Sequence, residues 1–244
     1  MNHAPISITA SEHDSLLEPY APRCAVLMPS FGGCSFRAEN QRTVLRWYRE
    51  RNFQVIQGRD TQSRNGFFSR ARAINAAARL SPKEKDIFIL ADNDLIPSVP
   101  HLAKALYQLE HHKVITPHCT TLHSSFAGRQ QLLAGNKTML YAPKESGSRS
   151  YVVIRRQAFE AMNGMDEVFE GWGPEDKAFL ISANKHHGGV LELDGERIHL
   201  WHPADQSKRD RTQLMKNRER CKQYEAASPK AANVLAREYG PLYP

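Results

Sequence analysis

Two aspartates separated by one residue, Asp92-Asn93-Asp94, directly follow the apolar run Ile87-Phe88-Ile89-Leu90-Ala91. An unbroken run with β-branched and aromatic members predicts a strand buried on both faces. Ligands of open α/β sheets gather where such strands end. Carboxylates spaced i, i+2 at that point can hold a hard divalent cation and, through it, the oxygens of a phosphate. The plainer alternative is a solvated turn or a cap for the helix that follows. Two later stretches also carry reactive side chains. Trp172-Gly173-Pro174-Glu175-Asp176 sets two acids behind an aromatic at a predicted helix start, where the helix dipole favours negative charge. Ile198-His199-Leu200-Trp201-His202-Pro203 sets two imidazoles at the end of a late strand.

The elements between these stretches alternate. Strands are predicted at Cys24 to Met28, Phe53 to Ile56, Ile87 to Ala91 and Val114 to Thr116. Helices are predicted at Glu39 to Arg51, at Ser69 to Leu80, which Ser81-Pro82 stops, and at Ser98 to Glu110. This alternation predicts an α/β fold with a doubly wound, mostly parallel sheet and flanking helices in a single domain. Residues 118–150 are polar and aperiodic and predict an insertion loop or a short hairpin. Beyond them come a strand at Tyr151 to Ile154, a helix at Arg156 to Met162 and a helix at Pro174 to His186. Short strands follow at Val190 to Leu193 and Arg197 to Leu200, then a basic helix at Arg209 to Ala227. Residues 1–20 are expected to be a loose arm, 21–227 the domain proper, and 228–244 a tail.

Composition sets the bounds. The chain has 244 residues, 41% hydrophobic and 24% charged, enough to bury one substantial core. No apolar run reaches the roughly 20 residues that span a bilayer, and Met1 to Tyr20 lacks the features of a signal peptide, so a cytoplasmic protein without membrane partners is expected. The four cysteines, Cys24, Cys34, Cys119 and Cys221, have no paired spacing, which argues against a disulfide framework or a zinc site. The net charge of +7 is concentrated late, at Lys208, Arg209, Arg211, Lys216, Arg218, Arg220 and Lys222. A solvated helix face, a diphosphate clamp and an anionic partner such as nucleic acid all fit that concentration. The stretch from Lys208 to Lys222, poor in apolar anchors, is expected to be mobile until a nucleotide orders it.

The acidic pair, the aromatic acidic loop and the late histidine stand in the order found in metal-dependent nucleotide-sugar transferases of the GT-A fold. Over residues 22–210 the chain resembles the β-1,4-galactosyltransferase and polypeptide N-acetylgalactosaminyltransferase group. The resemblance implies Asp94 as direct ligand to Mn2+ or Mg2+, with Asp92 near the ribose and sugar hydroxyls and Asn93 in the nucleotide site. It implies a histidine ligand from the opposite wall. In the family this histidine follows a short strand and precedes basic residues, a place that Ile198-His199-Leu200 fits, so His199 is favoured over His202. Residues three apart on a strand differ in phase, so one of the two should face the site. Trp172 to Asp176 resembles the family's Trp-Gly-Gly-Glu-Asp, which implies Trp172 as a platform for donor and acceptor sugars. Glu175 would bond the donor sugar, and Asp176 would be the catalytic base. Phe68-Ser69-Arg70-Ala71 resembles the family's Phe-Asn-Arg-Ala, which implies Phe68 against the base and Arg70 facing phosphate, with Asn75 also matching.

Pro29 and Phe31 would flank the nucleobase at the end of the first strand, where Gly32-Gly33-Cys34 replaces an arginine-rich turn and Arg37 is the nearest cation. Arg149-Ser150 stands where the family has two glycines at the acceptor, which points to a different acceptor, a polypeptide or an anionic polymer. The implied function is inverting transfer of a hexose or N-acetylhexosamine from a UDP-sugar to a protein, glycan or modified nucleic acid. Two alternatives come from other classes: a nucleic-acid-binding protein with structural acids, and a metal-dependent nucleotidyltransferase.

Overall fold

The computed structural model describes residues 12–30, 34–62, 66–134, 141–145, 151–203 and 210–243. Strands are β1 (Cys24–Ser30), β2 (Gln54–Arg59), β3 (Ile87–Leu90), β4 (Leu95–Pro97), β5 (Val114–Ser124), β6 (Tyr141–Glu145), β7 (Val152–Arg155) and β8 (Leu191–His199). Helices are α1 (Ser35–Arg49), α2 (Arg70–Arg79), α3 (Val99–Gln108), α4 (Phe126–Leu133), α5 (Arg156–Ala161), α6 (Glu175–His187), α7 (Arg211–Ala226) and α8 (Pro229–Ala236). The strands form one sheet in the order β2-β1-β3-β7-β5-β8-β4, with β6 paired to β5.

The α/β fold with flanking helices is as expected, but the sheet is mixed rather than mostly parallel. β1 runs parallel to β2 and β3, and β5 parallel to β8. β7 is antiparallel to both its neighbours, β3 and β5, and β4 is antiparallel to β8. Apolar phase tells which face of a strand is buried and carries no sign of strand direction, so the reversal at β7 leaves no trace in the periodicity.

Alternate side chains of the central strands feed two cores, one on each face. Val26 and Met28 of β1 and Ile89 of β3 pack with Val44, Trp47 and Tyr48 of α1 and Leu102 and Leu106 of α3. Ala25 and Leu27, with Phe88 and Leu90, pack with Ile74 of α2, Phe159 of α5 and Phe179 of α6. This is why these strands read as continuous apolar runs: both faces are covered.

Several expected boundaries shift. In the stretch expected as an insertion loop or hairpin, β5 continues through Ser124 and pairs with β6, with α4 between them. The two short strands expected near residues 190–200 are one strand, β8, held along its length by β5 from Ile115↔Leu191 to His123↔His199. Part of the expected loose arm, Glu12–Leu17, is a 3-10 helix whose Leu17 is buried in the core. Part of the expected tail is α8, with Ala232 and Ala236 buried, and the Leu242 amide donates to Asn163 Oδ1. Among the described residues no helix is long and apolar enough to cross a membrane.

Candidate metal centre and active site

The site is built where β3 stops. The Ala91 amide still donates to Leu27 O of β1, and the chain then turns through Asp92, Asn93 and Asp94 into β4, a three-residue strand without a periodic signal. β4 pairs with the end of β8, setting Leu95 opposite His199, and the Leu200 amide donates to Asp94 O at 2.8 Å. That pairing brings the imidazoles to the carboxylate. His202 Nε2 lies 3.2 Å and His199 Nε2 3.8 Å from Asp94 Oδ2. One ligand atom from each of the three residues lies within 4.8 Å of the others. Both histidines therefore face Asp94, with His202 the nearer, where strand phase had allowed one of the two and the family's order had favoured His199. The phase argument fails because β8 ends at His199, and alternation does not govern the residues after it.

Burial pushes the Asp94 carboxyl up, but the hydrogen bond with His202 and the charges of His199, His202 and Arg37 hold it below the usual range. Arg37 Nη1 is 3.8 Å from the same carboxylate oxygen. Burial depresses the His199 imidazole below its ordinary value, which favours the neutral form that binds metal. A carboxylate with two imidazole nitrogens suits a first-row divalent transition ion better than Mg2+, which prefers a shell of oxygens. His123 of β5 joins this group, its ring 4.9 Å from that of His199. It lies in the stretch that read as aperiodic, so no sequence signal singled it out.

Arg70, at the start of α2, ties the acidic pair to the aromatic acidic loop. Its Nε donates to Asp92 Oδ1 at 2.7 Å and its Nη1 to Asp176 Oδ1 at 2.8 Å. The guanidinium expected to face phosphate therefore spans two carboxylates. Clustered acids out of water need a counter-charge, and Arg70 supplies it. Even so, burial raises Asp92 to about 6. Glu175 is raised further, to about 8, first by burial and then by the charge of Asp176, and its Oε2 is buried without a hydrogen-bond partner among the described residues.

Glu175 gives a pH prediction. Its folded-state value lies above the ordinary 4.5, so folding binds a proton between the two. The stabilisation is complete below pH 4.5 and is lost as pH rises through about 8. Glu175→Gln should therefore flatten the fall in melting temperature between pH 5 and pH 9, measured by thermal denaturation of the metal-free protein. An unchanged slope would show that Glu175 is not the group being titrated.

Buried polar contacts fix the loop before α6. Arg72 is gripped by Asp60 at 2.8 Å and Glu170 at 2.7 Å, all three side chains at most 5% exposed. Removing one partner of such a group costs about 3–5 kcal/mol, since it strands the others. Asn75, which matched the family pattern, donates to Met165 O and accepts from the Met165 amide. Gly171 adopts φ +66°, a conformation that disfavours a side chain. At Gly173 a Cβ would come within 2.6 Å of Asn217 Nδ2, and that amide donates to Glu170 O and Trp172 O. Trp172 itself is 56% exposed, as a sugar platform requires.

Asn217 lies on α7, within the stretch expected to be mobile without nucleotide. From Arg211 onward that stretch is instead a docked helix. Arg220 donates to Asp166 Oδ2 at 2.7 Å, the Tyr224 hydroxyl donates to the same oxygen, and Cys221 and Tyr224 are buried. Its anchors are polar and aromatic rather than aliphatic, which is why an apolar count missed them. Lys216 and Arg218 remain exposed.

Of the remaining candidates, Pro29 is buried at the end of β1 and Asn93 is buried between the two aspartates. Phe68 O accepts from the Gly171 amide. Phe31, Arg149, Ser150, Lys208 and Arg209 lie outside the described residues.

Residues 138–202 match the family described as the N-terminal domain of galactosyltransferase, a segment that contains Trp172 to Asp176, His199 and His202. No curated protein matches the chain. Among solved structures, a mutant of Drosophila β1,4-galactosyltransferase 7 in complex with manganese, UDP-Gal and xylobiose is 18% identical, with a TM-score of 0.56, covering 82% of this chain and 79% of that one. The catalytic domain of the Drosophila enzyme with xylobiose is 19% identical, with a TM-score of 0.47, covering 69% of this chain and 63% of that one. This chain thus spans less than two thirds of the latter's length. The fold is that of the GT-A glycosyltransferases. The matched segment places the resemblance in the galactosyltransferase group.

Proposed function

We propose that this chain transfers a hexose or N-acetylhexosamine from a UDP-sugar, with inversion, to a hydroxyl on a protein, glycan or nucleic acid. The observation that carries this reading is the convergence of Asp94, His199 and His202 on one point at the end of β3. A first-row divalent ion, which we take to be Mn2+, would supply there the positive charge that neutralises a departing diphosphate. The manganese and UDP-Gal bound by the structural neighbour of the same fold support this choice.

The residues divide the work as follows. The acceptor oxygen bonds to the anomeric carbon as the bond from that carbon to the diphosphate oxygen breaks, and the acceptor proton passes to Asp176. Arg70 holds Asp176 and Asp92 in a fixed relation, so the base and the carboxylate facing the donor keep their spacing. Glu175, whose carboxyl is pushed up by burial toward the protonated form, would hydrogen-bond the donor sugar. Trp172 offers an exposed apolar face on which a pyranose can stack, excluding water from the reacting bond.

A panel of UDP-sugars with Mn2+ tests the reading. Slow release of UDP from one donor, stopped by EDTA and accelerated by the right acceptor, is the expected result. Release of UMP instead would assign the site to nucleotidyl transfer. No Mn2+-dependent cleavage of any donor would refute the proposal.

A further inference from the structure

The dipeptide between the two histidines, Leu200-Trp201, has left β8, and its four backbone polar groups need partners that the sheet no longer provides. Each has one. The Leu200 amide donates to Asp94 O at 2.8 Å. The Trp201 amide donates to Ser124 Oγ at 2.8 Å. Both carbonyls, Leu200 O and Trp201 O, accept from the single amide nitrogen Nδ2 of Asn40, each at 3.2 Å.

Asn40 is wholly buried on α1, and its other end is fixed too. Arg129 of α4 donates from Nε to Asn40 Oδ1 at 2.7 Å, which settles which way the amide points. The Arg129 side chain is 0% exposed, and its counter-charge Glu39 sits one residue before Asn40. It also donates to Phe36 O, and its guanidinium lies 5.2 Å from the Phe36 ring centroid. Phe36 and Phe126 meet the Trp201 ring edge to face at 5.4 and 5.1 Å. A fully buried arginine is costly to desolvate, and here it orients one amide that grips the metal-facing segment.

We propose that Asn40, oriented by Arg129, is the positioning residue of the metal centre. By clamping both carbonyls between His199 and His202, it fixes the curvature that turns two imidazoles three residues apart onto one carboxylate. This rests on the metal reading above. Asn40, Arg129 and Ser124 all lie outside the segment that matches the galactosyltransferase family.

The discriminating variant is Asn40→Asp. It keeps an acceptor for Arg129 Nε and leaves the Arg129–Glu39 ion pair in place, while it replaces the donor to both carbonyls with an acceptor. Mn2+ binding would be titrated by the electron paramagnetic resonance signal of the free ion, beside wild type, His202→Ala and thermal melting without metal. Loss of a partner that orients a metal ligand typically weakens binding about tenfold to a hundredfold. Asn40→Asp should lose Mn2+ affinity on that scale; its metal-free melting should fall, because two buried carbonyls lose their donor, with the protein still folded at the temperature of the titration. Wild-type affinity in folded Asn40→Asp, with affinity lost in His202→Ala, would overturn the positioning role and leave the metal site standing. No Mn2+ binding by the wild type would overturn both. Should Asn40→Asp fail to fold, Asn40→Ala decides: it removes the donor to both carbonyls without adding a charge, while Arg129 keeps its bonds to Glu39 and Phe36 O. Unweakened Mn2+ binding there would overturn the clamp, whereas a loss of about tenfold or more would support it.

Discussion

Asp176→Asn is expected to bind UDP-sugar and Mn2+ almost normally and to transfer sugar about a hundredfold to ten-thousandfold more slowly, the range typical for loss of a general base. The substitution is close to isosteric, and the amide oxygen can still accept from Arg70 Nη1, which now donates to Asp176 Oδ1 at 2.8 Å. Arg70 therefore stays in place, and with it Asp92, so donor binding in the ground state should be spared and the loss should fall on kcat. Removing the charge has a second readout. Asp176 helps to raise both Glu175 and Asp92, so both should titrate at lower pH in the variant, which carboxyl-selective NMR can follow. Near-normal transfer, or a product that keeps the donor's anomeric configuration, would remove Asp176 from the base role.

Asp94→Ala should abolish Mn2+-dependent binding of UDP, a loss beyond the hundredfold that removal of a merely orienting group produces. The fold should survive, because the contact that joins β4 to the end of β8 here is made by the backbone: the Leu200 amide donates to Asp94 O, not to its carboxylate. Since both imidazoles lie close to the lost carboxylate, His199→Ala and His202→Ala should each weaken the same binding. Calorimetric titration of UDP with and without Mn2+ measures all three. Normal metal-dependent binding by Asp94→Ala would exclude it as a ligand, and a harmless His202→Ala would reduce the site to His199 as its single histidine.

Much of the fold was legible because it is written in local chemistry. The runs at Cys24 to Met28 and Ile87 to Ala91 are apolar on both faces because helices cover both, and α2 is bounded by Ser69, whose side chain accepts from the Arg72 amide. The direction of β7 and the existence of β4 were not legible: direction has no period, and three residues are too few to show one. That gap cost most at the metal centre. Without β4 the ends of β3 and β8 could not be joined, and the expectation that one of His199 and His202 faces the site rested on a strand rule that stops applying at His199.

Within the site, residues that act by their own chemistry stood out by type: Asp92, Asp94, Glu175, Asp176 and the histidines. Residues that act by holding others did not. Asn40, Ser124, Arg129 and Asn217 are ordinary polar side chains in sequence, and their importance lies in partners 89 positions away for Arg129 and 160 for Asn40. The basic stretch misled for a related reason, since Arg220 is committed to Asp166 and so is no part of a free cationic surface.

The central claim is that Asp94, His199 and His202 hold the ion that carries the nucleotide. Diffraction from crystals grown with UDP and Mn2+, recorded at a wavelength where manganese scatters anomalously, tests it most directly. One strong anomalous peak is expected, bonded to the Asp94 carboxylate and to both imidazoles, with diphosphate oxygens completing its shell. UDP bound with no such peak, or with manganese on a different set of side chains, would contradict it.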